Sequence, residues 1–298
     1  MSLTLPRHPR IATFSIVATD GLDWGVAVAS KFLAVGSAVP AARAEMGAIA
    51  TQAMANTSYK QLGLDLLEAG RPASEVVEVL TGDDEGREHR QLGVVDRHGG
   101  AATYTGSQCF EWAGGRTGKG CACQGNILTG PEVVDSLLTG FEASTGQLAD
   151  RMMAALAAGD QAGGDRRGRQ SAALLVVRRH AGYGGFDDQM VDLRVDDHPQ
   201  PIPELSRLLD LWRLYFEKAS PESLLPVDDA LLERLRSALE RAGRLGEDAS
   251  SEQLWLALKA WVSEENLEER VTSQEAIDPL VLAKLEALPS AGSPPALP

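Results

Sequence analysis

The sequence is short of cysteine, of long apolar runs and of basic residues, and each shortage excludes something. Three cysteines, Cys109, Cys121 and Cys123, cannot make a disulfide framework for 298 residues. No apolar stretch approaches the roughly 20 residues needed to span a bilayer as a helix. The opening MSLTLPRHPR carries charge and two prolines but no apolar signal-peptide core, which predicts a cytoplasmic protein. Lys and Arg number 28 against 42 Asp and Glu, a net charge of −14. That balance argues against nucleic acid and against an anionic membrane surface as partners. The five histidines show no Ser-His-Asp order and no His-x-x-x-His spacing, so a serine triad and a histidine zinc site are both disfavoured. Asp187, Asp188, Asp192, Asp196 and Asp197 lack the spacing of a calcium loop and read as solvated strand ends. Cys121 and Cys123, two apart on a strand, read as small core residues. No metal and no cofactor is expected.

What is present has two textures. Up to about residue 202 the chain is rich in Gly, Val, Ala and Thr; beyond it Leu and Glu recur at helical spacing. Residues 221–298 hold 15 acids and 7 bases. A boundary is expected near ASPESLLPVDD (219–229), where two prolines interrupt the pattern. The division that follows is a leader 1–12, a main domain 13–219, a helical domain 220–286 and a disordered Pro-rich tail 287–298.

In the main domain, TFSIVAT, GVAVASK and GAIATQA read as strands. Helices are predicted at 58–69 and 73–81, separated by Gly70-Arg71-Pro72. Strands QLGVVDR, AATYTG and GCACQGN follow, then helices at 131–142 and 145–158, then strands 171–177 and 190–196. Strands, helix pair, strands, helix pair, strands is an α+β order, satisfied by two sheets packed on each other and each covered outside by helices.

Side chains two apart on a strand share a face, so Thr13 and Ser15 point one way and Phe14 and Ile16 the other. On the residues alone a plain strand threonine is preferred over a nucleophile for Thr13, since Thr has high strand propensity. The segments ATFSIVATD, GVAVASKFLAVGSAVP, GAIATQAMANTSY, QGNILTGPEVV and GGDRRGRQSAALLVV, in this order, closely resemble the DUF1028 family. That family has no assigned function, and the resemblance places its fold with the N-terminal-nucleophile hydrolases, which include proteasome subunits and penicillin acylases. It covers about residues 12–215 and implies a four-layer αββα sandwich. It further implies a Thr at a free chain terminus that uses its own α-amine as general base, with backbone or Asn donors holding the oxyanion. Many relatives begin Met-Thr-Phe-Ser; here twelve residues precede Thr13, and the amine is free only after cleavage behind Ala12.

On that basis the candidate catalytic residues are Thr13, Lys31 and Asn126. Lys31, beside Ser30, would lower the pKa of the amine by its charge; a solvated lysine at a strand end is the plain alternative. Gly125-Asn126 offers an amide and a side-chain donor, and is equally a turn signal. Candidate substrate contacts are Ser15, Ser30, Thr51, Gln52, Asn56, Ser58, Gly125, Asp165, Gln170 and Ser171. Asn56, Thr57 or Ser58 also suits a helix N-cap, and the Asp165–Ser171 stretch also suits a salt-bridged loop. Two function classes stand: an amidohydrolase acting on a small amide, peptide-like or cyclic amide bond, and a non-catalytic binding or oligomeric scaffold that keeps the fold.

Beyond residue 202, PELSRLLDLWRLYFEKA, LLERLRSALERAG, SEQLWLALKAWVSEENLEER and AIDPLVLAKLEAL read as helices, with Leu231, Leu235, Leu239, Trp255, Leu258 and Trp261 as core. ENLEER and AIDP resemble a peptidoglycan-binding-like module. A docking or oligomerisation role, hence a homo-oligomer, or a muropeptide-like ligand is the expectation for this part.

Overall fold

A computed structural model describes residues 13–271 and 273–291; the leader 1–12 and residues 292–298 of the expected tail lie outside the described residues. The chain divides into two units between Leu209 and Asp210.

The first unit opens with β1 (Thr13–Thr19) and β2 (Trp24–Ser30), then a single helical turn α1 (Val35–Ala38), β3 (Pro40–Arg43) and β4 (Gly47–Ala53). Helices α2 (Ser58–Glu68) and α3 (Ala73–Gly82) follow. They are separated where Gly70, at φ +83°, turns the chain and Pro72 starts the next helix. Next come β5 (Arg90–Asp96), β6 (Ala101–Thr105), β7 (Gly114–Gly118), β8 (Cys121–Asn126), α4 (Glu132–Ala143), α5 (Leu148–Gln161), β9 (Ser171–Val177), β10 (Gln189–Val195) and α6 (Pro201–Phe216). The division between the units falls inside α6.

Two antiparallel sheets result, one of six strands in the order β10-β9-β2-β1-β8-β7 and one of four in the order β3-β4-β5-β6. Alternation along each strand decides what each face meets. Val17, Val26, Val28 and Ala122 of the larger sheet and Ala48, Ala50 and Val95 of the smaller share one dry core between the sheets. Ile49, Leu92 and Val94, on the opposite face of the smaller sheet, pack under Tyr59, Leu64 and Leu67 of α2 and Val76 and Leu80 of α3. Helices α4 and α5 cover the other face of the larger sheet; Phe14 reaches Gly159 of α5, where an added Cβ would meet it at 3.5 Å. The unit is therefore α+β, four layers deep: helices, sheet, sheet, helices.

Sequence reading misses β3 and β7. Strand β7 is GGRTG, and glycine is depleted in strands because it packs nothing. Here Gly115 is needed for space: a Cβ would lie 2.6 Å from Thr103 of the facing sheet.

The second unit adds β11 (Leu225–Pro226), α7 (Asp229–Arg241), α8 (Ser251–Glu264), β12 (Ala276–Ile277) and α9 (Pro279–Glu286). Each helix start is specified locally. Asp228 caps α7 through Leu231 N (2.8 Å), Ser250 and Gln253 form a capping box on α8, and Asp278 caps α9 ahead of Pro279. Leu231, Leu235, Leu239, Leu258, Trp261, Ile277 and Leu285 form its core. Leu288 packs against that core, and Ala291 N donates to Arg241 O at 2.8 Å. Arg270, 6% exposed, pairs with Asp278 and donates to the carbonyls of Leu214, Arg213 and Glu217.

Candidate functional site at the open end of the first strand

Register brings four polar side chains into one row. Thr13 pairs with Ser30 on one side and Asn126 on the other, and Ser30 pairs with Ser171. Directly opposed residues of antiparallel strands lie about 4.5–5.5 Å apart at Cα and point to the same face. That face is the inner one, shared with Val28 and Ala122. All four residues are buried. The Thr13 hydroxyl is fully buried and has no hydrogen-bond partner among the described residues.

Behind this row, glutamines from both sheets interlock. Ser15 Oγ donates to Gln52 Oε1 at 2.6 Å and accepts from Gln124 Nε2 at 2.7 Å. Gln52 Nε2 donates to Gln91 Oε1 at 2.8 Å and to Thr13 O at 3.4 Å. Gln91 Oε1 also accepts from Asn126 Nδ2 at 3.0 Å. Gln91 Nε2 donates to Gly125 O at 2.7 Å and to Thr105 Oγ1 at 2.9 Å. Buried amides tolerate such a position only when their donors are satisfied. The network thus holds Asn126 and the backbone around Thr13 in fixed geometry.

Lys31 stands just past the row. Its amide donates to Asp165 Oδ2 at 3.0 Å, and its exposed ammonium donates to Arg169 O at 3.2 Å. Asp165, almost fully buried, also accepts from Arg167 N at 2.9 Å and Arg167 Nη2 at 2.8 Å. Gln170 bonds Asp197 at 3.0 Å, and Ser171 Oγ donates to Phe32 O and accepts from Val35 N. These bonds make a braced corner at the end of β2 and β9.

Of the residues singled out from sequence, Thr13, Ser15, Ser30, Gln52, Asn126 and Ser171 meet on the inner faces, with Gly125 supplying a carbonyl to Gln91. Lys31, Asp165 and Gln170 form the adjoining corner. Thr51, Asn56 and Ser58 lie elsewhere. Thr51 is one residue from Gln52 and so faces away from it, bonding Asn56 O at 3.3 Å. Asn56 Oδ1 accepts from Ser58 N at 3.2 Å at the start of α2, and Asn56 Nδ2 donates to Asp84 at 3.2 Å. Asp84 collects Tyr59 Oη (2.7 Å), Arg90 Nε (2.9 Å) and Gly86 N (2.7 Å) as well. Burial raises the Asp84 carboxyl pKa, but these bonds override it and hold it well below the usual carboxylate range. Burial and Asp84 together push the Tyr59 hydroxyl up.

Sequence reading misses Gln91, Gln124 and Asp84. The signal for the glutamines is alternation: Gln91 shares the inner face of its strand with Gly93 and Val95, and Gln124 lies between Ala122 and Asn126 on the inner face of its own. A hollow of about 10 Å³, the room of one water, touches Asn126 between Met54, His89, Cys109, Phe110 and Ile127. Burial pushes the Cys109 thiol beside it up to about 11, so it is protonated at neutral pH. Among the described residues no group of three or more His, Cys, Asp or Glu is placed to hold a metal ion, and no helix is long and apolar enough to cross a membrane.

Comparison with known proteins bears on this geometry. Residues 13–205 match the model of the "Family of unknown function (DUF1028)". Residues 215–285 match that of the "Putative peptidoglycan binding domain". The chain is similar to the crystal structure of a DUF1028 protein from Silicibacter pomeroyi, with 33% identity over 68% of this chain and 89% of that one and a TM-score of 0.62. No curated protein matches.

Proposed function

The chain belongs to the DUF1028 family, and from that premise we propose that it hydrolyses a small amide, peptide-like or cyclic amide bond with Thr13 as an N-terminal nucleophile. One observation carries the reading: a buried hydroxyl at the head of β1, without a partner among the described residues and flanked in register by Ser30 and Asn126. An ordinary buried threonine bonds its hydroxyl to something. A nucleophile waiting for a substrate and a base does not.

Once the Ala12–Thr13 bond is broken, the Thr13 α-amine, with a reference pKa of about 7.7–8.0, accepts the hydroxyl proton. The oxygen attacks the substrate carbonyl carbon, and the developing oxyanion takes a donor such as Asn126 Nδ2. The proton passes to the leaving amine as the C–N bond breaks, and water then hydrolyses the Thr13 ester. The N-terminal-nucleophile relationship, the cytoplasmic setting and a homo-oligomeric state belong to the same reading. The helical unit serves as a docking module, with a muropeptide-type ligand suggested by the family it matches.

A panel of acyl amides, dipeptides and cyclic amides tests this. Hydrolysis that is lost in Thr13→Ala and partly kept in Thr13→Ser supports it. Hydrolysis unchanged in Thr13→Ala refutes it.

A second reading has its own observation. Asn126 Nδ2 is bonded to Gln91 and the Lys31 ammonium to Arg169 O, so each already spends one of its N–H groups inside the protein. A binding protein that keeps the sandwich without turnover accounts for that directly. Substrate-like amides that bind the chain but are never cleaved favour it.

A further inference from the structure

One cavity lies away from Thr13, on the outer, helical side of the four-stranded sheet. It measures about 500 Å³ and is bounded by α2, α3 and the turn after α3. That volume falls within the range of sites for small organic ligands. Its two chemistries are segregated. Leu62, Leu66, Val79 and Leu80 make an apolar trough, and Leu62 and Val79 are 53% and 40% exposed within it. The rim where α2 begins and α3 ends carries Asp83, Asp84 and Glu85.

The rim charges are unequal. Asp84 is neutralised by Arg90. Asp65, farther along α2, is held by Arg43. Asp83 and Glu85 have no ion-pair partner among the described residues, and both are exposed. An aliphatic trough that ends at two uncompensated carboxylates selects for a cation on an apolar stem. An anion is repelled, and a neutral apolar molecule leaves the carboxylates nothing to meet.

We propose that this cavity binds an alkylammonium group, with the ammonium between Asp83 and Glu85 and the alkyl stem over Leu62, Leu66 and Val79. The group belongs either to a free aliphatic amine or to a lysine side chain of a peptide. The site is separated from Thr13 by the four-stranded sheet, so it stands whether or not Thr13 is a nucleophile.

Titration of the full chain with n-hexylamine, Nα-acetyl-lysine amide and, as neutral isostere, n-hexanol tests it. The readouts are calorimetry and methyl NMR shifts at Leu62, Leu66 and Val79. One or both cations should bind more tightly than hexanol and shift those methyls. The double variant Asp83→Asn/Glu85→Gln, both exposed positions, should weaken binding about tenfold, which is about 1.4 kcal/mol. Hexylamine binding alone assigns a free amine; acetyl-lysine amide binding assigns a peptide side chain. Hexanol binding as tightly as hexylamine, shifts confined to other methyls, an unchanged double variant, or no cation binding up to about 10 mM, roughly 2.7 kcal/mol, would each overturn it.

Discussion

Replacing Gln91 by leucine, of similar size, removes the side chain that makes more hydrogen bonds between the two sheets at the candidate site than Gln52 does. Gln91 accepts from Gln52 and Asn126 and donates to Thr105, Gly125 and Gly114. Leucine leaves Asn126 Nδ2 without its acceptor and Gln52 Nε2 with only the 3.4 Å bond to Thr13 O. Each stranded buried donor costs about 1–3 kcal/mol, and the lost bonds to carbonyls add roughly 1 more, so the variant should lose about 3–5 kcal/mol. Against a typical total of about 5–15 kcal/mol that is a large fraction.

Gln124→Leu is the internal control. Gln124 donates one bond to Ser15, while its Oε1 is buried with no partner among the described residues. Losing one bond and one stranded oxygen together should cost only about 0–1 kcal/mol. Urea unfolding of both variants, followed by hydrogen exchange at the strand amides so that the helical unit does not obscure the result, measures the difference. Costs within about 1 kcal/mol of each other would refute the claim that Gln91 is the organising residue.

Asp84→Asn should destabilise the first unit by about 2–3 kcal/mol at pH 7, because its carboxylate collects charge-assisted bonds. Since the folded pKa is depressed, that stability is complete above the unfolded value of about 3.9 and is lost as pH falls toward the folded pKa, so wild type and variant should converge in acid. A gap that is constant from pH 7 to pH 2 would contradict it. Asp278→Ala strands the buried Arg270 and should cost the helical unit about 3–5 kcal/mol, read as an earlier unfolding step with the strand amides of the sandwich still protected.

Local pattern carried most of the fold. The short β-rich runs at 13–19, 47–53 and 171–177 became strands at those bounds, and the order of elements led to two sheets between helix pairs. The site was legible where it depended on one strand: alternation placed Thr13 and Ser15 together. It was not legible where it depended on pairing between strands far apart in sequence. Gln91 begins its inward-facing series next to a strand end and reads as an ordinary polar boundary, yet its partners come from β4, β6, β7 and β8. Strand alternation itself separates Thr51 from Gln52. Lys31 is close to Thr13 in register, but its ammonium is held by the Arg169 carbonyl, a contact made by a loop that no periodicity describes.

Intact mass and N-terminal sequencing of the chain purified from its native cell test the role of Thr13 most directly. A peptide nitrogen cannot take the hydroxyl proton, whereas a terminal amine can. The predicted result is a chain that begins at Thr13, with the leader kept in Thr13→Ala if the cleavage is self-catalysed by attack on the Ala12 carbonyl. A chain that retains residues 1–12 in the native cell would contradict catalysis by Thr13 through its own amine.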